Sequence, residues 1–377
     1  MSKKQLKILV APNSMKGSLN AFDFADVVEK AFLKVSNDFL VRKVPVADGG
    51  DFTGEVLCRA LNAEVVENTV NDPLGRTVHS KFAKSGKTAI IEMADASGIK
   101  LLKPDELNPM KTSSFGTGQL INDALNSGCT EILLGVGGSA TVDGGMGMLE
   151  ALGFQFFDKS GLELKGNGEN LEFVAEIRKP PLPSEILIKI ICDVDNPLLG
   201  ENGAATVFGP QKGATPQMVV QLENGLAQWA KILENESGKK LVSLKGAGAA
   251  GGIALPLVAF FHAEIVPGAA FILSQLNFEK QVEWADLVIT GEGKLDSQTL
   301  NNKAPKAVAD ASRKAGKPVI AIGGTVKKEI SNAFEGVFSI TPGPVSLDES
   351  MQHSDEMLFD LSFELAKLIC SVHLRLK

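Results

Sequence analysis

The sequence is poor in the residues that build metal centres and disulfide scaffolds. Its 377 residues hold four cysteines (Cys58, Cys129, Cys192 and Cys370) and four histidines (His79, His262, His353 and His373). The cysteines lie far apart with no C-x-x-C pair, so neither a structural zinc nor a disulfide framework is indicated. The histidines form no metal-spaced cluster. A long apolar run is missing too: the stretch around IALPLVAFF is well short of a membrane span and contains Pro256. The basic opening MSKKQLKILVAPNS carries an apolar run too short for a secretory signal and reads better as a first strand. There is no excess of positive charge either. A formal net charge of -7 gives no electrostatic case for nucleic acid or an anionic membrane, so neither partner is expected. A reduced, cytoplasmic, soluble protein is the expectation that remains.

Hydrophobic residues make up 44% and charged residues 22%, a balance that favours a folded core over disorder. The length suits two domains. KILVAP (7–12) reads as a strand, AFDFADVVEKAFLKV (21–35) as an amphipathic helix, FLVRKVPVA (39–47) as a second strand, and EVLCRALNA (55–63) as a second helix. That β-α-β-α opening is the signature of a parallel, doubly wound sheet. Near the C-terminus, ADLVITGEG (285–293), KPVIAIGG (317–324) and GVFSITPG (336–343) each run from an apolar strand into glycine, with helical patterns near 304–315 and 355–373. Between them, short β runs alternate across 65–98 around the turn signal Asp72-Pro73-Leu74-Gly75, followed by glycine-rich and helical stretches. The expectation is an α/β protein. A Rossmann-like parallel-sheet domain is built from both chain ends (1–68 and 268–377), with a large inserted α/β domain of mixed sheet at 69–267.

In open α/β sheets ligands bind at the carboxyl ends of strands, so the polar stretches that follow strand runs are the candidate sites. In APNSMKGSLNA, Lys16, Gly17 and Ser18 precede a helix whose N-terminus favours an anion, although an ordinary strand–helix loop explains them as well. No Walker A pattern occurs anywhere. In VPVADGGDFTG, Asp48 could accept a hydrogen bond from a hydroxyl while Gly49 and Gly50 allow close backbone approach; an acidic turn and helix cap is the alternative. LLGVGGSATVDGGMG offers the backbone N–H groups of Gly137 and Gly138 and the hydroxyl of Ser139, suited to a phosphate nest. In IKIICDVDNPLLG, Asp193 and Asp195 would share a face if the strand continued extended. They could hold Mg²⁺, or one could serve as general base toward a hydroxyl, while a plain Asx-Pro turn accounts for Asp195 and Asn196. Glu292, Lys294 and Asp296 leave a strand in LVITGEGKLDSQT, where strand-end placement favours a ligand role over a solvated loop.

One stretch points elsewhere. In LVSLKGAGAAGGIALPL, Gly246, Gly248 and Gly251 reproduce the G-x-G-x-x-G spacing of a dinucleotide site, with Glu264 near the distance expected of its acidic partner. Yet VSLK is a poor buried strand, and close packing of small residues explains the glycines without a cofactor.

Taken in order, APNSMKGSLNA, ADGGDFTG, NDPLGRTV, IIEMADASG, FGTGQLI, GVGGSATVDGGMGMLEALG, CDVDNPLLGENGAATVFGPQKGA, GAGAAGG and ADLVITGEGKLDSQTLNNKAP resemble the two-domain bacterial glycerate kinase family from residue 11 to about 306. There are departures. Asn13 and Met15 stand where Asp and Phe are common, Asp51 where Glu is usual, and Lys294 where Arg is more common; Asn13 cannot act as a base. The resemblance implies ATP-dependent phosphorylation of D-glycerate to 2-phosphoglycerate in glyoxylate and sugar-acid catabolism, with 3-phosphoglycerate as the alternative product. It implies ATP and Mg²⁺ as cofactors, and an active site in the cleft between the two domains. The roles that follow are Asp193 and Lys16 in catalysis, with Lys16 on phosphate or transition-state charge. Gly137, Gly138, Ser139 and Ser18 fall to phosphate, Asp48, Gly49, Gly50 and Asp296 to glycerate, and Asp195 and Glu292 to the metal. A homo-oligomer stays open. The rival readings are an NAD-dependent oxidoreductase, resting on GAGAAGG alone, and a non-catalytic sugar-acid sensor.

Overall fold

The structure is a computed structural model that describes residues 5–50, 52–181, 186–300 and 303–375. The chain divides into two compact units, Met1–Val56 with Pro267–Lys377, and Leu57–Val266.

The first unit is built on an all-parallel, five-stranded sheet in the order Gly336–Ser339, Val319–Val326, Leu287–Leu295, Leu6–Val10, Phe39–Lys43. Its central strands are continuous apolar runs because both faces are covered; Ile8, Leu9 and Val10 are fully buried. Helix Ala21–Val35 starts where the Asn20 side chain accepts the N–H groups of Phe22 and Asp23, and it turns Phe24, Ala25, Val28 and Phe32 into the core. That face packs with helix Ser354–Arg375, while helices Gly268–Gln275, Phe278–Trp284 and Ala304–Lys314 supply the core on the other side. The strand expected over 39–47 stops at Lys43: Val44 and Val46 still donate to the Val10 and Pro12 carbonyls, but Pro12 has no N–H to return a bond to the Val44 carbonyl. From strand Leu6–Val10 the chain order runs outward in both directions. The switch point therefore lies between that strand and Leu287–Leu295, where an open parallel sheet forms its binding crevice.

The second unit carries a mixed six-stranded sheet in the order Glu264–Pro267, Leu187–Cys192, Glu131–Gly135, Thr88–Glu92, Thr77–Ser85, Glu64–Asn71. Leu187–Cys192, Glu131–Gly135 and Thr88–Glu92 run parallel, and the last two strands are antiparallel. The predicted Asp72 turn joins those last two: Gly75 N–H donates to the Asp72 carbonyl at 2.9 Å, and Arg76 Nε binds the Asp72 carboxylate at 2.6 Å. A small antiparallel sheet pairs Gln155–Phe157 with Glu163–Leu164 and Glu176–Arg178. Helices Phe115–Asn126, Pro216–Ser237 and Ala254–Phe261 complete the core around the fully buried Trp229, whose ring N–H donates to the Gly144 carbonyl. Among the described residues no helix is long and apolar enough to cross a membrane.

Candidate active site

In the first unit the expected residues gather at the switch point. Asn13 follows strand Leu6–Val10 and is held there by its N–H on the Gly291 carbonyl. Its side-chain amide donates to Asp48 Oδ2 at 3.0 Å. An aspartate at position 13 would set two carboxylates against each other there, so the departure from the family's common residue relieves a repulsion. Asp48 is buried, and burial pushes its carboxyl above the usual range against the pull of Gly50 N–H and Lys303. Gly49 donates its N–H to the Thr53 hydroxyl, and Gly50 donates to Asp48 Oδ1. Asp51, the other departure in this loop, lies outside the described residues. Gly268 has no room for a side chain: a Cβ there would stand 1.8 Å from the Asp48 carbonyl oxygen.

Glu292 lies within strand Leu287–Leu295 and is 5% exposed. Its Oε1 accepts the Thr299 hydroxyl at 2.6 Å. Burial pushes its carboxyl up to about 7, with the charges of Asp48 and Asp296 adding to the rise and Lys303 opposing it. Asp296 goes the other way, because Lys294 Nζ sits 2.7 Å from its carboxylate and holds it below the usual range. Neighbouring carboxyls with divergent proton affinities are the arrangement that acid–base sites use. The cation shared by Asp48, Glu292 and Asp296 is Lys303, at the start of helix Ala304–Lys314. The sequence reading missed it. Its only signal was a lysine beside Ala-Pro at the end of a matched segment.

Lys16, Gly17 and Ser18 form an exposed turn closed by the Met15–Leu19 bridge. The turn lies beside strand Leu287–Leu295; Lys16 N is 3.5 Å from where a Cβ on Gly293 would stand. The anion place expected at the following helix N-terminus is already used, since Asn20 caps Phe22 and Asp23, and Asp23 adds a negative charge to the first turn. Ser18 donates its hydroxyl to Ser354 at 2.5 Å.

In the second unit the Gly137–Ser139 loop follows strand Glu131–Gly135. Gly138 has φ +68°, in the left-handed region that a glycine enters freely and that shapes an anion nest. The loop's backbone is tied to the Ser97–Ile99 segment: Ile99 N–H donates to the Gly138 carbonyl and Ala140 N–H to the Ser97 carbonyl. Among the described residues no acceptor takes the N–H of Gly137 or Gly138. Beneath the loop lies Lys212, 2% exposed, donating to Ser139 Oγ at 2.8 Å and to the Thr141 carbonyl at 2.7 Å. Burial pulls its ammonium down to about 7, and the charge of Asp143 partly restores it. Asp143 is fully buried and accepts four hydrogen bonds: Ser114 N and Oγ, both at 2.7 Å, Gly145 N at 3.2 Å and Gly147 N at 3.3 Å. Lys212 belongs to the matched FGPQKGA segment, yet nothing in its local sequence marks it as buried.

The strand before Asp193 stops at Cys192, so the shared face expected of Asp193 and Asp195 does not form; they sit in a loop, half-buried and exposed respectively. Burial, then their two charges, pushes the Cys192 thiol up to about 12, which leaves it unreactive.

The glycines of GAGAAGG now have their explanation, and it is not a dinucleotide. VSLK forms no strand, and Ala249–Gly251 is a short 3₁₀ turn. A Cβ on Gly248 would stand 2.2 Å from the Pro197 carbonyl oxygen, and one on Gly251 2.2 Å from that of Thr141. Gly248 also donates its N–H to Asn196, and the Gly251 carbonyl accepts from Gly144. The segment wedges backbone against backbone between the Asp193–Pro197 loop and the Ser139–Gly144 loop, close packing that needs no cofactor.

The sequence model of the glycerate kinase family matches residues 8–370. A glycerate kinase of Halalkalibacterium halodurans is 43% identical over 360 residues, covering 93% of this chain and 95% of its own. The glycerate 2-kinase of Escherichia coli K12 is 40% identical over 356 residues, covering 92% and 93%. A crystal structure of a glycerate kinase 2 from Salmonella typhimurium LT2 superposes with a TM-score of 0.84 at 37% identity, covering 98% of this chain and all of the other. The motifs, the fold and these relatives agree, and the chain belongs to the glycerate kinase family.

Proposed function

We propose that the protein transfers the terminal phosphoryl group of ATP to the 2-hydroxyl of D-glycerate. The observation that carries this reading is chemical. One unit gathers buried carboxyls with divergent proton affinities beside the switch point of its sheet, as a hydroxyl acceptor requires. The other presents glycine N–H groups that find no acceptor among the described residues, over a buried lysine, as a phosphate requires. Phosphoryl transfer depends on positioning and charge neutralisation more than on covalent catalysis, so such groups suffice. The 2-position is favoured by the similarity to the E. coli glycerate 2-kinase.

ATP would place a phosphate on the Gly137–Ser139 loop, where two N–H groups without an acceptor among the described residues and a hydroxyl are available to it. Among the described residues no group of three or more acidic, His or Cys side chains could cage a metal. Mg²⁺ that arrives on a nucleotide needs only one or two carboxylates, and Asp195 and Glu292 are the candidates assigned to it. When bound it would supply neutralising charge to the phosphates. Asp48, with Gly49, Gly50 and Asp296, would orient the glycerate hydroxyls, and Lys16, with Ser18 beside it, would meet phosphate from the exposed turn rather than from the capped helix N-terminus.

Asp193 is the assigned proton acceptor. The proton affinity of Glu292, near neutrality, favours a second reading in which Glu292 takes the hydroxyl proton. Measuring glycerate-dependent ADP release for Asp193→Asn and Glu292→Gln separates them: the variant of the true base loses about 10²-fold or more in kcat, and the other keeps most of its rate. Glycerate binding without any glycerate-dependent ADP release in the parent protein would replace both with a non-catalytic sensor.

A further inference from the structure

We propose that Lys212 is the proton-linked positioning residue of the phosphate loop: it sets the loop through Ser139 and Thr141 and lends it a positive charge only while protonated. This deepens the reading of Gly137–Ser139 as the phosphate cradle and rests on it.

A buried lysine is expensive unless its charge is used. The backbone that carries Lys212 is fixed in a tight turn. Its N–H bonds to the Gly209 carbonyl, and Gly213 follows at φ +90°, where a Cβ would stand 2.2 Å from the Leu107 carbonyl oxygen. The ammonium has three protons, and two reach Ser139 Oγ and the Thr141 carbonyl. Accepting at its oxygen leaves the Ser139 hydroxyl its own proton to give to a ligand. Gly137 is half-exposed and Gly138 exposed, so the face that meets an anion is open while the cation lies behind it. Thr141 Oγ1 is buried with no hydrogen-bond partner among the described residues, a second polar group beside the loop.

Asp143 is the charged group acting on Lys212, and its own carboxylate is occupied by Ser114, Gly145 and Gly147. Desolvation therefore dominates, and the free protein holds Lys212 near the balance between its two forms at neutral pH. An anion seated on the loop favours the charged form. Binding then draws a proton onto Lys212, and affinity falls as pH rises past the free protein's midpoint.

The test is ATP binding, with Mg²⁺ present, by titration calorimetry between pH 7 and pH 9, where the terminal phosphate is already ionised. Running it in buffers of different ionisation enthalpy counts the protons. Wild type should take up a substantial fraction of one proton at pH 8 and lose roughly tenfold in affinity from pH 7 to pH 9. Lys212→Met should bind more weakly at pH 7, with neither proton uptake nor pH dependence. Lys212→Arg, permanently charged, should recover part of the affinity with a flat profile. Constant wild-type affinity with no proton uptake overturns the proposal, as does unchanged behaviour in a folded Lys212→Met. If Lys212→Met does not fold, the wild-type proton count decides alone. ATP binding that ignores Lys212 sinks this inference and leaves the cradle standing. No ATP binding by the folded wild type at any pH sinks both.

Discussion

Asp143 is where the structure makes its most quantitative demand. Replacing it with alanine removes the acceptor of four hydrogen bonds, two of them short, from a site with no access to water. Orphaning a buried donor costs about 1–3 kcal/mol. The two short bonds to Ser114 alone therefore amount to about 2–6 kcal/mol, before the loss of the charge that supports Lys212. A figure near 4 kcal/mol is the middle of that range. For a domain of this size that is a fall of roughly 8–16 °C in melting temperature. The assay is thermal unfolding at pH 7 followed by tryptophan fluorescence, since Trp229 donates to Gly144, next in the chain to Asp143. Asp143→Asn keeps one acceptor oxygen and should lose about half as much. Glu201→Ala, which removes an exposed loop carboxylate, serves as control and should stay within ~0.5 kcal/mol. A melting temperature for Asp143→Ala within about 2 °C of wild type would refute the reasoning.

Other outcomes follow from the same geometry. Gly251→Ala forces a left-handed backbone onto alanine and a Cβ against the Thr141 carbonyl. It should lose about 2–4 kcal/mol in thermal unfolding and weaken ATP binding, because that carbonyl also anchors Lys212; an unchanged ATP Kd would contradict the buttress. Glu292→Gln should change stability in a pH-dependent way. Burial raises the folded proton affinity of Glu292 above its ordinary value, so its favourable contribution is complete below about pH 4.5 and fades as pH rises toward 7. The variant should match wild type at pH 4.5 and melt a few degrees higher at pH 8; the opposite trend would show that Glu292 is ionised and well solvated. Asn13→Asp places two carboxyls about 3 Å apart at Asp48, and the acid limb of kcat/KM should move to higher pH; an unmoved limb would mean the pair is water-separated.

How much was legible depended on how local the cause was. Helix Ala21–Val35 was readable in full because its cap, Asn20, and its apolar spacing lie within the segment. The parallel order around Leu6–Val10 was readable from apolar runs ending in polar loops, whereas Glu292, expected to leave its strand, lies inside it because the strand runs on to Leu295. Lys212 and Lys303 were invisible as functional groups. The chemistry of Lys212 comes from burial against Ser139 and Thr141, far away in the chain, and that of Lys303 from three carboxyls on other segments. The shared face of Asp193 and Asp195 failed because periodicity does not say where a strand stops. GAGAAGG misled for a physical reason: glycine is selected wherever backbones must nearly touch, and a pyrophosphate is only one of the things that can press against it.

The central claim is a specific bond, from phosphorus to the 2-oxygen of D-glycerate. Incubating the protein with D-glycerate, ATP and Mg²⁺ and reading the product by phosphorus NMR tests it directly. The account predicts the resonance of 2-phosphoglycerate, appearing together with ADP and only when glycerate is present. A 3-phosphoglycerate resonance would overturn the assigned position, and ADP with inorganic phosphate but no phosphoglycerate would contradict the account itself.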